Sequence, residues 1–322
     1  MSGSDVRVRP APVDATRLSV LHDTLLRWYA AHGRDLPWRR ADRRPWGVFV
    51  SETMLQQTQV SRVEPIWREW MTRWPTPAAL AAEPVGEAIR AWGRLGYPRR
   101  AVRLHAAATA MVRRYDGAVP DTEAELADLP GVGGYTAAAV AAFAHGRRTT
   151  VVDTNVRRVQ ARLVGGAARA APTLSAAELR LAQSLLPQRP TDAAAWNVAV
   201  MELGALTCTA RGPACAACPV AGHCAWLAAG RPAYDGPVRR SQRWEGTDRQ
   251  LRGAILQALR AAPGPLSRTR LLRDTIEHLV TDPGADRFAR CLDSLVDDGL
   301  VEPIAAGRLA LPGGRAAPPV PR

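Results

Sequence analysis

The stretch that most constrains the fold runs from Leu129 to Val159. It opens with the peptide LPGVG at residues 129–133, where proline and glycine predict a tight turn between two helices. A glycine turn at a helix N-terminus points successive backbone N–H groups outward, which suits a phosphate. Asp153 follows the second helix, after a short run of β-branched residues. An anion-binding hairpin followed by an isolated carboxylate indicates an enzyme of nucleic acids, whereas the alternative is an ordinary helix turn and a helix-capping Asp.

The charge of the chain agrees with a polyanionic partner. Its 322 residues carry a net charge of +13, and all 43 basic residues are arginines, with no lysine in the sequence. The length allows about two domains. Residues 1–13 are polar and no apolar run is long enough to span a membrane. We therefore expect a cytoplasmic, nucleoid-associated protein with no membrane contact.

Short helices broken by proline and glycine, without alternating strand patterns, predict an all-α domain over residues 14–230. One helix is predicted from Val48 to Val60, with Glu52 among its apolar residues. That carboxyl is either a capping group near the first turn, where Ser51 is a further candidate, or an acid that keeps its proton near neutral pH.

A loop that combines arginines with an aromatic residue precedes that helix. The loop from Arg34 to Arg39 combines arginine with Trp38, which could stack on a nucleic-acid base. The alternative is a helix exit with a buried indole.

Four cysteines form a compact cluster with the spacing C-x6-C-x2-C-x5-C. They are Cys208, Cys215, Cys218 and Cys224. In a cytoplasmic chain such cysteines indicate a metal or cluster site and not disulfides. A structural zinc ion and an iron–sulfur cluster use the same thiolate ligands, so the spacing leaves both open. Cys291 lies far away in a predicted helix and is expected to be an ordinary buried thiol.

These motifs occur in the same order in the helix-hairpin-helix base-excision glycosylases of the endonuclease III superfamily, which carry a 4Fe-4S cluster. Within it, the chain resembles the adenine DNA glycosylases of the MutY type. The residues that carry this closer resemblance are Gln56-Gln57-Thr58 after Glu52, Tyr135 in the hairpin, and Asn155 after Asp153. The resemblance covers the chain from Leu18 to Trp226.

The resemblance implies removal of an adenine that is flipped out of the duplex. Glu52 corresponds to the general acid that protonates adenine N7. Asp153 corresponds to the carboxylate that stabilises positive charge at C1′, in the manner of a glycoside hydrolase. Tyr135 and Asn155 correspond to polar groups that support these carboxylates.

Binding residues are implied in the same way. The residues expected to line the adenine pocket are Arg34, Leu36, Trp38, Arg39 and Glu202. Those expected to contact DNA are Gln57 and Tyr97, inserted at the lesion, and Gly131 and Gly133, around a backbone phosphate. The four cysteines would hold a 4Fe-4S cluster in a loop over residues 208–224. The expected partner is double-stranded DNA with adenine mispairs, bound by a monomer.

Two departures from the family pattern stand out. Thr154 lies where many adenine glycosylases have Gly. The Nudix-like domain that usually reads 8-oxoguanine is replaced, after a linker over residues 231–246, by three predicted helices and a hairpin over residues 247–315. These elements predict a small winged-helix-like domain that either contacts the DNA backbone or is a packed lid.

The hairpin also predicts the fate of the abasic product. Bifunctional relatives place a lysine where this chain has Tyr135, and a hydroxyl cannot form the imine that leads to strand cleavage. We therefore predict a monofunctional glycosylase that removes adenine opposite 8-oxoguanine or guanine. The alternatives are a thymine/uracil mismatch glycosylase and a non-catalytic, cluster-bearing DNA-binding protein.

Overall fold

A computed structural model describes residues 14–234, 236 and 244–313. Residues 1–13, several residues of the predicted linker, and residues 314–315 of the predicted C-terminal domain lie outside the described residues. The described chain is mainly helical, with one small antiparallel sheet, which confirms the predicted fold class. In this part of the chain, every helix is too short or too polar to cross a membrane.

The helices and strands follow one another along the chain, and each kind is numbered in that order. The helices are α1 (Ala15–His32), α2 (Pro45–Leu55), α3 (Val60–Arg73), α4 (Pro77–Ala81), α5 (Val85–Trp92), α6 (Arg99–Tyr115), α7 (Glu123–Ala127), α8 (Gly134–His145), α9 (Thr154–Leu163), α10 (Ala176–Ser184), α11 (Pro190–Leu206), α12 (Ala225–Ala228), α13 (Asp248–Ala261), α14 (Arg268–Ile276) and α15 (Ala285–Asp297). The strands are β1 (Leu266–Ser267), β2 (Glu302–Ile304) and β3 (Arg308–Ala310).

The chain divides into two compact units. One holds the described residues up to Pro45, the segment Asp121–Ala127, and the described residues between Gly133 and Val238. The other holds Trp46–Pro120, Asp128–Val132 and the described residues from Arg239 onward.

In the first unit, α11 packs against both α1 and α9. Leu21 and Leu25 of α1 recur at helical spacing and are fully buried in one core with Val200 and Leu203 of α11. Burying side chains of this size stabilises the unit by roughly 1.5–3 kcal/mol each. This core fixes the helices that carry the polar residues described below.

In the second unit, α6 packs against α4 and α5 around fully buried indoles. Trp70 meets Trp74 and Trp92 edge to face, an arrangement that aromatic rings favour. The same unit includes α13, which packs against α14 and α15.

The C-terminal elements follow the order helix, strand, two helices, two strands, as expected of a winged-helix-like domain. The sheet order is β1-β3-β2, with Leu309 of β3 opposite both Leu266 and Pro303. The sequence did not predict the short β1, because two residues are too few for a pattern. The predicted domain bounds stay a prediction.

The helix around Glu52 differs from the sequence prediction of Val48 to Val60. It begins at Pro45 and ends at Leu55, because Gln57 adopts a left-handed conformation with φ +55°. Ser51 therefore lies inside the helix, where its hydroxyl donates to the carbonyl oxygen of Val48 at 2.8 Å. The capping interpretation of Ser51 and Glu52 is wrong, since both residues lie well past the first turn.

Candidate active site and DNA-contact residues

Glu202 of α11 is fully buried and binds two arginines of the segment that follows α1. Arg34 donates two hydrogen bonds to its carboxylate, one of them at 3.1 Å, and Arg39 donates a third. Burial alone would raise the pKa of Glu202, but the two guanidinium groups outweigh it and hold that pKa below its usual range. The structure thus joins three of the five predicted pocket residues in one ion-paired cluster.

The other two predicted pocket residues are apolar and buried. Leu36 is 4% exposed and Trp38 is 3% exposed, on either side of Pro37, where a short 3₁₀ turn begins. The indole of Trp38 is therefore part of the protein interior, as the alternative interpretation expected. Its role in lining an adenine pocket stays a prediction.

Asp153 is the N-cap of α9, and both of its carboxylate oxygens accept hydrogen bonds. One accepts from the backbone N–H of Val156 at 2.7 Å, and the other from the side-chain amide of Asn155 at 2.7 Å. Burial raises the pKa of Asp153 above its usual range, although these two donors and the charge of Arg158 act in the opposite direction. Asp153 thus caps α9, and the same bonds fix the direction of a carboxylate that could face positive charge.

Arg158 links Asn155 to the start of the cysteine loop. Its guanidinium donates to Asn155 Oδ1 at 2.7 Å, to the Gly204 carbonyl at 2.7 Å and to the Cys208 carbonyl at 2.7 Å. A planar guanidinium can make these three bonds at once because its donors point in fixed, diverging directions. The orientation of Asp153 therefore depends on contacts that reach the first cysteine.

The glycine hairpin has the predicted geometry. Gly131 has φ +76°, and a Cβ atom there would lie 2.6 Å from the Cβ of Arg103, so only glycine fits. Gly133 is the N-cap of α8, and a Cβ atom at this position would meet open space. Tyr135 is the second residue of α8 and is half-buried. The N-terminus of α8 is thus open on the side where a phosphate was predicted.

Glu52 lies in the third turn of α2 and is 5% exposed. Its neighbours Ser51 and Thr53 are also buried, and both hydroxyls donate to helix carbonyls one turn earlier. The helix thus places a carboxyl in a closely packed interior, which is the environment expected from the sequence for a general acid.

Arg100, at the start of α6, anchors the two turns that carry Gln57 and Tyr97. Both residues have positive φ, +55° and +48°, which is uncommon for residues other than glycine. Burial lowers the pKa of the Arg100 guanidinium to about 10. Its hydrogen bonds go to the carbonyl oxygens of Thr53 (3.0 Å), Met54 (2.9 Å), Gln56 (2.6 Å) and Gly96 (3.1 Å), and to the hydroxyl of Thr58 (3.0 Å).

The four loop cysteines are half-buried thiols, and none forms a disulfide. Burial, with smaller contributions from the other three cysteines, raises the pKa of Cys218 to about 11. Arg162 Nη1 donates to Cys208 Sγ at 3.4 Å, and its guanidinium lies 4.8 Å above the ring of Trp226. Among the described residues, no three His, Cys, Asp or Glu side chains are grouped as ligands of a metal ion.

Comparison with known proteins assigns the chain to a family. Residues 50–184 match the HhH-GPD superfamily of base excision DNA repair proteins. The adenine DNA glycosylase of Mycolicibacterium smegmatis is 52% identical over 297 residues, which cover 92% of this chain and 97% of that protein. The chain belongs to the adenine DNA glycosylase family.

One further relative agrees with this assignment, and one solved structure agrees with the fold. The adenine DNA glycosylase of Mycobacterium tuberculosis H37Rv is 48% identical over 310 residues, covering 95% of this chain and 98% of that protein. Among solved structures, a thermostable thymine-DNA glycosylase superposes with a TM-score of 0.59 at 28% identity, over 67% of this chain and all of that one. The resemblance noted from the motifs is confirmed.

The donor chemistry of the cysteine loop fits the thiolate-bound cluster that the family usually carries. Burial raises the pKa of Cys218 and of Cys224, and the backbone N–H groups of Val220, Trp226 and Leu227 offset part of this rise because they favour the thiolate form. Hydrogen bonds to sulfur are one means by which proteins tune such clusters. The four cysteines thus fit a cluster in ligand type, and Cys208, Cys218 and Cys224 also accept hydrogen bonds at sulfur.

Sequence reasoning missed Arg100, Arg158 and Arg162 as residues that position others. Each is buried or half-buried and binds backbone carbonyls, which leave no signal in a sequence. The only available signal for Arg158 was its place one helical turn after Asn155.

Proposed function

We propose that this adenine DNA glycosylase is monofunctional and acts on adenine mispaired with 8-oxoguanine or guanine in double-stranded DNA. The observation that carries the proposal is the Asp153 carboxylate, which Val156 and Asn155 hold in one direction through both of its oxygens. Such a fixed negative group stabilises positive charge that develops in a transition state, because it needs no reorganisation.

In the proposed reaction the adenine is extruded from the duplex. Glu52 donates its proton to adenine N7, so that the bond between C1′ and N9 breaks and its electron pair leaves with a neutral base. Asp153 stabilises the positive charge that forms on the sugar at C1′. Water then adds at C1′ and loses a proton, which gives free adenine and an abasic site.

The Glu202 cluster is proposed to recognise the base. The ion pairs with Arg34 and Arg39 keep Glu202 ionised and fix all three side chains in one geometry. Arg34 keeps a 35% exposed side chain, so its remaining N–H groups can reach a ligand. A fixed array of donors and acceptors discriminates bases better than a flexible one, because no ordering has to occur on binding.

Strand cleavage is not expected. Tyr135 stands in the hairpin where bifunctional relatives have a lysine, and the chain contains no lysine elsewhere. Borohydride should therefore trap no covalent protein–DNA complex, and strand breaks should appear only after alkali. Efficient trapping by a protein with a blocked N-terminus would contradict a monofunctional reaction.

For the cofactor, we propose a 4Fe-4S cluster held by Cys208, Cys215, Cys218 and Cys224. When bound, such a cluster ties the loop into one rigid element through four covalent iron–sulfur links. Arg162 contributes from the protein side, since it binds Cys208 Sγ and the Thr209 carbonyl at 2.8 Å. We also propose a monomer that resides in the cytoplasm with the nucleoid.

A thymine/uracil mismatch glycosylase is the second candidate. The likeness to the solved thymine-DNA glycosylase supports it, although that likeness is weaker than the one to the adenine enzymes. Release of thymine or uracil from mispairs with guanine, in the absence of adenine release, would favour this candidate.

The acid role is tested by Glu52→Gln. This variant should bind a duplex with an adenine mispair as the unaltered protein does, but it should lose adenine release in single-turnover assays. Glu64→Gln is the matched control, because it makes the same chemical change in the exposed Glu64–Arg68 pair of α3. A Glu52→Gln rate close to that of the control would remove Glu52 from the role.

A further inference from the structure

An exposed stack of two aromatic rings and one guanidinium lies where the C-terminal domain meets the Tyr97 turn. The guanidinium carbon of Arg249, at the start of α13, is 4.9 Å from the ring centre of Tyr97 and 5.2 Å from that of Trp244. Arg100 approaches the same tyrosine ring at 5.4 Å. We call Tyr97, Arg249 and Trp244 the arginine–aromatic cluster.

The exposure of the cluster is unusual for this protein. Tyr97 is 45% exposed and Trp244 is 52% exposed, whereas Trp70, Trp74 and Trp92 are almost completely buried. Tyr97 also has a positive φ, which costs a bulky residue free energy. Exposed aromatic rings beside a cation are a surface on which nucleic-acid bases stack.

The C-terminal domain is attached through the far end of the helix that supplies Arg249. Arg260 of α13 donates to the Ile89 carbonyl at 3.0 Å, and Arg90 donates to the Arg260 carbonyl. The Gly86 N–H donates to the Pro312 carbonyl at 2.8 Å, and a Cβ atom at Gly86 would lie 2.6 Å from that oxygen. These contacts hold the C-terminal end of α13 against α5, and the same helix carries Arg249 about 16 Å away along its axis.

The charge of the domain argues against DNA contact through its third helix. Residues 247–313 contain nine arginines and nine acidic residues, although the whole chain has a net charge of +13. Helix α15 carries Asp286, Asp293 and Asp297 against two arginines, and one of these, Arg287, pairs with Asp248. Arg249, like Arg268, Arg290 and Arg308, is exposed and has no ion pair with any described residue. Among these four arginines, only Arg249 lies against exposed aromatic rings, those of Tyr97 and Trp244.

We propose that the arginine–aromatic cluster is a DNA-contact site to which the C-terminal region contributes two of the three side chains. Its ligand is an unstacked base of duplex DNA at the mispair, held against the aromatic rings, with the adjacent phosphate at Arg249. The C-terminal domain thus adds to the DNA contact made at Tyr97 instead of binding DNA through α15. This proposal rests on the proposed function, because it requires a duplex whose stacking is disturbed at the mispair.

The test measures binding apart from catalysis. Fluorescence anisotropy would follow the full chain on a duplex that pairs guanine with 2′-fluoro-2′-deoxyadenosine, whose fluorine disfavours positive charge at C1′ and blocks excision. A fully paired duplex of the same length is the reference. Arg249→Ala and Trp244→Ala are the test variants, and Arg290→Ala is the matched control, because Arg290 is an exposed arginine of α15 in the same domain.

Each variant has a distinct expected result. Arg249→Ala should weaken binding to the mispair about tenfold and reduce the slope of log K against log salt by about one, since one phosphate contact is lost. Trp244→Ala should weaken binding similarly without changing that slope, because the indole is uncharged. Arg290→Ala should stay within about twofold of the unaltered protein.

Two results would overturn the proposal. Binding by Arg249→Ala and Trp244→Ala that equals that of the unaltered protein would exclude the cluster as a contact site. An equal loss in Arg290→Ala would assign the effect to the charge of α15. If the unaltered protein binds the mispair but releases no adenine from a cleavable duplex, the proposed function fails and the binding comparison is unaffected.

Discussion

Replacing Glu202 by Gln tests the most buried ionic contact among the described residues. Glu202 is 0% exposed and accepts three hydrogen bonds from Arg34 and Arg39, whose side chains are 35% and 18% exposed. Removing one partner of a buried pair typically costs about 3–5 kcal/mol, because the remaining charges are left uncompensated. Water reaches Arg34 in part, so we expect about 2–3 kcal/mol, which lowers the melting temperature of a 322-residue chain by roughly 3–5 °C.

The matched control for this variant is Asp35→Asn. Asp35 makes a similar two-bond contact with Arg40, at 2.9 and 2.7 Å, but the two side chains are 72% and 48% exposed. An exposed pair contributes about 0–1 kcal/mol, so the control should unfold close to the unaltered protein. Thermal unfolding followed by circular dichroism compares the two variants directly.

The pH dependence of the Glu202→Gln effect provides an independent check. The two arginines hold the pKa of Glu202 below its value of about 4.3 in an unfolded chain. Because the pKa of Glu202 is lower in the folded than in the unfolded chain, ionised Glu202 stabilises the fold fully above a pH of about 4.3. This contribution is lost as the pH falls from there through the pKa of the folded state. The difference between variant and unaltered protein should therefore be constant from neutral pH to about pH 5 and shrink below that. A difference no larger than that of the control, or one that grows on acidification, would refute the reasoning.

The first unit offers three further tests. Asp153→Ser should retain α9, because serine is also a good N-cap, yet lower the single-turnover excision rate by roughly a hundredfold or more; a rate within a few fold would contradict the electrostatic role. Arg158→Lys should slow excision with little loss of DNA affinity, since an ammonium cannot keep the bonds to Asn155 and to the Cys208 carbonyl together. A loss confined to affinity would exclude that positioning role. Anaerobically purified protein should be yellow-brown with about four irons per chain, whereas stoichiometric zinc without iron would contradict the cluster.

The features that could be predicted from the sequence are local ones. The hairpin is specified by Gly131, whose positive φ and close approach to Arg103 no other residue allows. The cysteine loop follows from spacing alone, and the C-terminal helices from apolar periodicity. The residues that show each pattern are neighbours in the chain, although the contact between Gly131 and Arg103, 28 residues apart, could not be recognised in this way.

The features that could not be predicted depend on distant backbone groups. Arg158 and the Cys208 carbonyl are 50 residues apart, and Arg100 is 44 residues from the Gln56 carbonyl. Nothing in the residue type separates these arginines from the others among the 43 in the chain. The end of α2 was misplaced for a related reason, since the left-handed conformation of Gln57 is stabilised by the bond from Arg100 to the preceding carbonyl.

The most direct test of adenine excision is a set of single-turnover assays on duplexes of one sequence. Adenine is paired in turn with 8-oxoguanine, guanine and cytosine, and parallel duplexes carry thymine or uracil opposite guanine. We predict release of free adenine from the first two duplexes, an intact abasic strand until alkali is added, and no release by Glu52→Gln. Release of thymine or uracil without adenine, or adenine release that persists in Glu52→Gln, would contradict this mechanism.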